Sequence, residues 1–129
     1  MRTILAVGLG GFLGSVLRYL VSGWVQTLSG SSTFPFGTLA VNVLGCLIIG
    51  FIMQIGLSTD IIPRSLRIII TVGFLGAFTT FSTFSYETVS YLQDGAWLQA
   101  SLNIVANLVL CIGATILGMT FGKLVAGGA

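Results

Sequence analysis

The chain has 129 residues, of which 55% are hydrophobic and only 6% are charged, with a formal net charge of +2 and no histidine. Because a soluble domain of this size carries about 25% charged residues, the composition excludes a water-soluble protein. The small and scattered positive charge argues against a nucleic-acid-binding protein, and the absence of histidine removes the commonest metal ligand.

Four stretches are long and apolar enough to cross a bilayer as helices, which takes about 20 residues each. They are predicted at residues 3–28, 36–57, 66–92 and 97–121, with short polar loops between them. The expected fold class is therefore an all-α integral membrane protein, with residues 1–129 forming one membrane domain. A signal peptide is the alternative interpretation of the first stretch, but its apolar run is too long and lacks a small-residue cleavage site.

The first predicted span contains one charge, Arg18, towards its C-terminal end. Its long side chain could reach the membrane interface as an anchor, or it could attract anions to a vestibule, and the sequence leaves both interpretations open. With four spans, the remaining basic residues share one side of the membrane, and the positive-inside rule places both termini in the cytoplasm. These residues are Arg2, Arg64, Arg67 and Lys123.

The second predicted span carries Asn42, with Thr38 four residues earlier on the same helical face. A polar side chain in lipid costs free energy unless it is paired or lines a cavity. Asn42 is therefore expected either to join two helices by hydrogen bonds or to face an internal path.

The third predicted span has the most unusual composition, because residues 73–85 contain two glycines, five hydroxyl residues and four phenylalanines. Gly73 and Gly76 lower helix propensity, and nearby hydroxyls can bond freed backbone groups, so we expect a break near residues 76–80. After the break, Thr80, Thr83 and Glu87 are predicted to share one helical face. Phe81 and Phe84 lie three residues apart, and a phenyl edge weakly attracts a small anion, although packing alone would also explain the pair.

The fourth predicted span carries a continuous polar stripe at intervals of four residues: Asn103, Asn107, Cys111 and Thr115. Cys111 and Cys46, the only two cysteines, fall inside apolar spans and are predicted to be packing residues. Three spans therefore present polar faces. A second subunit would enclose these faces more easily than one chain can, so we expect a homo-oligomer.

The chain resembles, over nearly its whole length, the Fluc family of small bacterial fluoride channels. Three segments carry the resemblance: Gly11 to Arg18 (GFLGSVLR), Gly37 to Asn42 (GTLAVN), and Thr71 to Ser85 followed by Glu87. The last segment is the most specific. The resemblance implies a passive fluoride-selective channel of the bacterial inner membrane, which exports cytoplasmic fluoride and lowers its toxicity.

Resemblance to this family also implies an antiparallel, dual-topology homodimer with two fluoride pathways. A structural sodium ion at the dimer centre would be held by the backbone carbonyls of Gly76 and Thr79. Arg18 matches the family's arginine in the first helix, and Glu87 lies at the end of a polar track. The implied pore residues are Asn42, Phe81, Ser82, Thr83 and Phe84, with Asn103, Asn107, Cys111 and Thr115 from the fourth helix.

Two other function classes fit four apolar helices. A proton-coupled transporter of the small multidrug-resistance type needs a carboxylate in its first helix, where this chain has Arg18 and no acid. A non-transporting membrane scaffold explains each polar residue singly as helix glue, but it does not explain why three polar faces occur together. An enzyme is not expected, because no paired carboxylates or base-activated nucleophile can be found.

Overall fold

The computed structural model describes residues 1–127 and is entirely helical in its regular structure. Four helical stretches are long and apolar enough to cross a membrane: Arg2–Ser29, Phe36–Ser58, Arg64–Gln93 and Trp97–Val125. The first, second and fourth are the unbroken helices α1, α2 and α6. The prediction of four membrane-crossing helices is thereby confirmed.

The third span consists of several pieces: α3 (Arg64–Ile68), a π-helical segment (Ile69–Leu75), α4 (Gly76–Phe78) and α5 (Phe81–Gln93). It is interrupted at Thr79 and Thr80, whose ψ angles of 160° and 111° are those of extended backbone. Thr80 caps α5, because its hydroxyl accepts a hydrogen bond from the N–H of Thr83 at 3.2 Å. The interruption therefore lies at the C-terminal end of the predicted 76–80 interval, and Gly76 itself is helical.

The helices are held together at small residues. α2 packs most extensively against α6, while α1 lies against the π-helical segment and α4, and α5 lies against α6. Gly50 of α2 faces the Thr115 carbonyl of α6, and Gly118 of α6 faces the Leu47 carbonyl of α2. Such positions let two backbones approach more closely than any larger residue permits.

The outer surface of α1 is apolar and largely unpacked, with only 11% of its most apolar stretch buried inside the chain. Ile4, Leu9 and Trp24 are each at least 65% exposed. Exposed apolar residues in this number on one helix are typical of a surface that faces lipid or another subunit.

Candidate functional site

The backbone groups at the interruption in the third span are hydrogen-bonded by the side chain of Asn42 in α2. Its Oδ1 accepts a hydrogen bond from the Thr80 N–H at 2.8 Å, and its Nδ2 donates to the Thr80 carbonyl at 3.2 Å. Both residues are buried, so water cannot replace these bonds. One side-chain amide thus pairs with both backbone groups of the residue at the break, much as a neighbouring strand would.

A chain of buried amides continues from Asn42 into α6. Asn42 Nδ2 also donates to Asn107 Oδ1 at 3.1 Å, and Asn107 Nδ2 donates to the Oδ1 and the carbonyl of Asn103, each at 3.0 Å. Asn103, which is fully buried, donates to the Thr88 hydroxyl at 3.0 Å. The network therefore ties α2, α5 and α6 together around the break.

An inner cavity of about 320 Å³ lies between α2, α6 and the third span. The Phe81 and Phe84 rings stand at its side with centroids 5.4 Å apart and planes tilted by 59°. Phe84 is buried, whereas Phe81 is 76% exposed at the surface of the chain. The cavity is lined by Asn42, Gly45, Cys46, Ile49, Thr71, Leu75, Gly76, Thr79, Thr80, Phe81, Phe84, Asn107, Leu108, Cys111 and Ile112.

A second and larger space, the vestibule cleft, has a volume of about 600 Å³. Its lining includes two charged residues, Arg18 and Glu87, and the hydroxyls of Thr38 and Thr83. Thr80 lines this cleft and the inner cavity alike, so the two spaces adjoin at the break. The remaining lining residues are Ser15, Tyr19, Ser22, Gly23, Gln26, Ser32, Phe34, Pro35 and Tyr91.

Arg18 lies about three turns before the end of α1, and its side chain is hydrogen-bonded inside the protein. Its Nη1 donates to the Thr79 carbonyl at 3.3 Å. Of the two interpretations that the sequence left open, this bond favours anion attraction over an anchor at the membrane interface. The guanidinium places positive charge in the vestibule cleft and beside the break, where it would favour an anion.

Glu87 is paired with a hydroxyl of the neighbouring helix rather than with a basic group. Its Oε1 accepts a hydrogen bond from Thr38 Oγ1 at 2.6 Å, which joins α5 to α2. Its Oε2 is buried and has no hydrogen-bond partner within the described part of the chain. This free oxygen leaves the carboxyl group with an unmet requirement for a donor.

The Thr38 to Glu87 bond can be tested by Thr38→Val, which removes the hydroxyl and keeps the shape of the side chain. We expect the free energy of unfolding to fall by about 1.5–3 kcal/mol, because the bond involves an ionisable partner. A double-mutant cycle with Glu87→Met, which removes the acceptor oxygens and keeps a similar length, would isolate the coupling when measured by unfolding in detergent. Additive effects of the two substitutions would show that the pair contributes nothing.

The structure brings together many, but not all, of the residues predicted for the site. Asn42, Phe81, Phe84, Asn107 and Cys111 share the inner cavity with Gly76 and Thr79. Thr83, Arg18 and Glu87 share the vestibule cleft. Three predicted residues line neither space: Ser82, which is exposed; Asn103, which is enclosed in the amide network; and Thr115, which bonds back to the Cys111 carbonyl.

Among the residues of the vestibule cleft that sequence reasoning missed, Gln26 and Tyr91 bond the loop between α1 and α2. Gln26 donates to the carbonyls of Ser31 and Phe34 and accepts from the Gly37 N–H, so it fixes the loop between α1 and α2. The Tyr91 hydroxyl donates to the Thr33 carbonyl at 2.7 Å. For Gln26 the sequence did contain a signal: it is an amide in the last turns of an apolar helix, where it needs several hydrogen-bond partners.

Comparison with known proteins gives concordant results. The sequence model of the family described as "CrcB-like protein, Camphor Resistance (CrcB)" matches residues 5–119. A protein of Geobacter metallireducens is 50% identical over 119 residues, covering 92% of this chain and 95% of the relative. Another from a Sulfurovum species is 53% identical over 120 residues, covering 93% of each. Both relatives bear the name fluoride-specific ion channel FluC.

Proposed function

Since the chain belongs to the CrcB-like family and is a multi-pass bacterial membrane protein, we propose that it is a passive fluoride-selective channel. In this proposal it lets fluoride leave the cytoplasm down its electrochemical gradient, which lowers fluoride toxicity. A negative membrane potential is sufficient to drive an anion outwards, so the chain needs no nucleotide or coupled proton.

The observation that carries this proposal is the meeting of the vestibule cleft and the inner cavity at Thr80. Fluoride is small and strongly hydrated, so a path selective for it must replace its water with several weak donors. Groups of this kind line these two spaces: the hydroxyls of Thr38, Thr80 and Thr83, the Asn42 and Asn107 amides and the Phe81 edge. Thr38, Asn42 and Asn107 already donate within the chain, so each would exchange a protein acceptor for fluoride as the ion passes. Arg18 would raise the anion concentration at the entrance.

Within the same proposal the channel is an antiparallel, dual-topology homodimer with two pores. The support comes from the surface beside the inner cavity, where Gly76 and the Phe81 ring are exposed in the single chain. An exposed aromatic ring next to a polar cavity is readily explained if a second copy completes the wall. A dimer would also cover part of the apolar face of α1.

A sodium ion at the dimer centre, on the carbonyls of Gly76 and Thr79, fits the donor chemistry of the break. The N–H of Thr80, which would bond the Gly76 carbonyl in a continuous helix, donates to Asn42 instead. The N–H of Thr83, the corresponding donor for Thr79, is used by Thr80 Oγ1. Both carbonyls therefore lack helical partners, and such oxygens suit a hard cation. Arg18 already occupies one acceptor position on Thr79.

The proposed function is tested by fluoride efflux from liposomes that contain the purified protein, with a potassium ionophore to balance charge. We expect rapid efflux of fluoride and none of chloride. Efflux that requires a proton gradient would favour the proton-coupled transporter. No efflux from protein that is folded and dimeric would favour the scaffold.

Substitution of Phe81 separates a role in conduction from a role in packing. Phe81→Leu is expected to reduce fluoride efflux by about tenfold, because it removes the aromatic edge, with little change in stability because the ring is 76% exposed. The matched control is Tyr86→Leu, which removes a 75% exposed ring from the same helix outside both spaces. Equal efflux by the two variants would exclude the Phe81 ring from the conduction path.

A further inference from the structure

Cys46 of α2 and Cys111 of α6 are neighbours across the tightest helix pair of the fold. Each lies one helical turn beyond an asparagine, and the two asparagines, Asn42 and Asn107, are bonded at 3.1 Å. The same register places both thiols on the inner cavity, between the Asn42 to Asn107 bond and the close approach of Gly50 to the Thr115 carbonyl. Both are free cysteines and half-buried, so neither thiol is held in a disulfide.

The chemistry of this pair is specific. Two thiols on facing helices can act together as soft ligands, which select soft cations over the hard ions that carbonyl and carboxylate oxygens prefer. Ions of this class accept two thiolates as a sufficient coordination set, so no third protein ligand is needed. Because the thiols are held on two packed helices, the second sulfur binds at a high effective concentration once the first has bound.

We propose that Cys46 and Cys111 form a two-thiolate site for a soft, thiophilic metal cation, and that an ion bound there obstructs the inner cavity. With divalent mercury the reaction is Hg²⁺ + 2 R–SH → R–S–Hg–S–R + 2 H⁺. Two sulfur–metal bonds form, two S–H bonds break, both protons leave to water, and no electron is transferred. The obstruction rests on the proposed channel function, whereas metal binding does not.

The expected obstruction of the inner cavity follows from the position of the two thiols. They share a space of about 320 Å³ with Asn42, Asn107 and the ring of Phe84, which are the groups proposed to conduct fluoride. A large ion fixed between α2 and α6 would fill part of this volume and would join the two helices. We therefore expect conduction to fall when the site is loaded.

The binding test uses the full chain in detergent, reduced and then freed of reductant, with mercuric ion as the probe. After washing with excess glutathione, a monothiol competitor, the wild-type protein is expected to retain one mercury per chain. Retention should be seen both by metal analysis and by ultraviolet absorbance of the mercury–thiolate bond. Cys46→Ser and Cys111→Ser, which each leave one thiol, should lose the metal to glutathione.

A matched control keeps two thiols in the chain but separates them. Cys111→Ser combined with Val109→Cys moves one thiol to a position that is 62% exposed on the outside of α6. This variant should also lose mercury to glutathione. Retention by the control, or loss from the wild-type protein, would overturn the two-thiolate site.

The flux test adds mercuric ion to liposomes during fluoride efflux. Wild-type efflux should fall by at least about tenfold and recover with a dithiol reductant, whereas Cys46→Ser with Cys111→Ser should be insensitive. If the protein retained mercury but efflux did not fall, the proposed obstruction would be wrong and the two-thiolate site would stand. Absence of efflux before any metal is added would count against the channel function alone, because the binding test is independent of transport.

Discussion

Fluoride efflux is expected to fall by at least about tenfold when Asn42 is replaced by alanine, together with a loss of about 2–4 kcal/mol in the free energy of unfolding. The Asn42 amide bonds both the N–H and the carbonyl of Thr80, at 2.8 and 3.2 Å, in a buried setting. Alanine would leave both backbone groups without partners and would also remove the donor to Asn107 Oδ1. The geometry of the break should then be lost along with the amide donor.

The measurement combines liposome efflux with unfolding in detergent, and Gln54→Ala serves as the control. That substitution also removes an amide from α2, but its bond at 2.8 Å is to the exposed Ser58 hydroxyl. The control should conduct and unfold like the wild-type protein. If Asn42→Ala lost conduction at unchanged stability, Asn42 would be a fluoride donor only, and the structural role argued here would be wrong.

The second large effect is expected for Gly118→Ala, which should destabilise the fold by about 3 kcal/mol or prevent it from forming. A Cβ atom at Gly118 would collide with the Leu47 carbonyl oxygen and would lie 2.9 Å from the Phe51 nitrogen. These are backbone atoms of α2, so no rotamer change can relieve the contact. The helices would have to separate along the interface that carries the Asn42 to Asn107 bond.

Gly113→Ala on the same helix is the matched control and should raise the free energy of unfolding, whereas Gly118→Ala should lower it. A Cβ atom there meets nothing within 4 Å, and alanine favours an exposed helix over glycine by about 1 kcal/mol. Folded yield and thermal unfolding in detergent would compare the two variants. If both were equally well tolerated, the α2 and α6 backbones would be farther apart than described.

Hydropathy was sufficient to place the four spans, because length and apolarity are what a bilayer requires of a helix. The second span was predicted at residues 36–57 and is found at Phe36–Ser58. The fourth was predicted to end at residue 121 but continues to Val125, since Gly122 and Lys123 do not themselves stop a helix. Such ends depend on local capping that hydropathy does not measure.

The interior of the third span was less predictable. The two glycines that suggested a break are both within helical turns, and Gly73 instead lies close to the Val7 carbonyl of α1. The break is made by Thr80, whose hydroxyl caps α5, and by Asn42, a residue 38 positions away in the sequence. The π-helical segment was not predicted, because an extra residue within a helical turn depends on packing against α1 rather than on composition.

For the candidate site, the spacing of the polar residues showed which of them share a helical face. It did not show which neighbouring helix or cavity each of them contacts. The stripe from Asn103 to Thr115 was read as one continuous face, yet only Asn107 and Cys111 reach the inner cavity. Asn103 is bonded to Thr88, and the Thr115 backbone lies against Gly50, where α2 and α6 approach closely. How deeply a side chain is buried between two helices depends on how the partner helix packs against it, and a single sequence does not show this packing.

The closure of the break by a side chain from α2 also bears on how the protein is made. α5 has 13 residues and is about 20 Å long, which is too short to cross a hydrocarbon core of about 30 Å alone. The backbone N–H and carbonyl of Thr80, the residue that caps α5, gain their partner only after α2 is beside it. During synthesis, the third span should therefore settle in the membrane as a pair with α2 rather than independently, and maturation should be slowest at this pairing step.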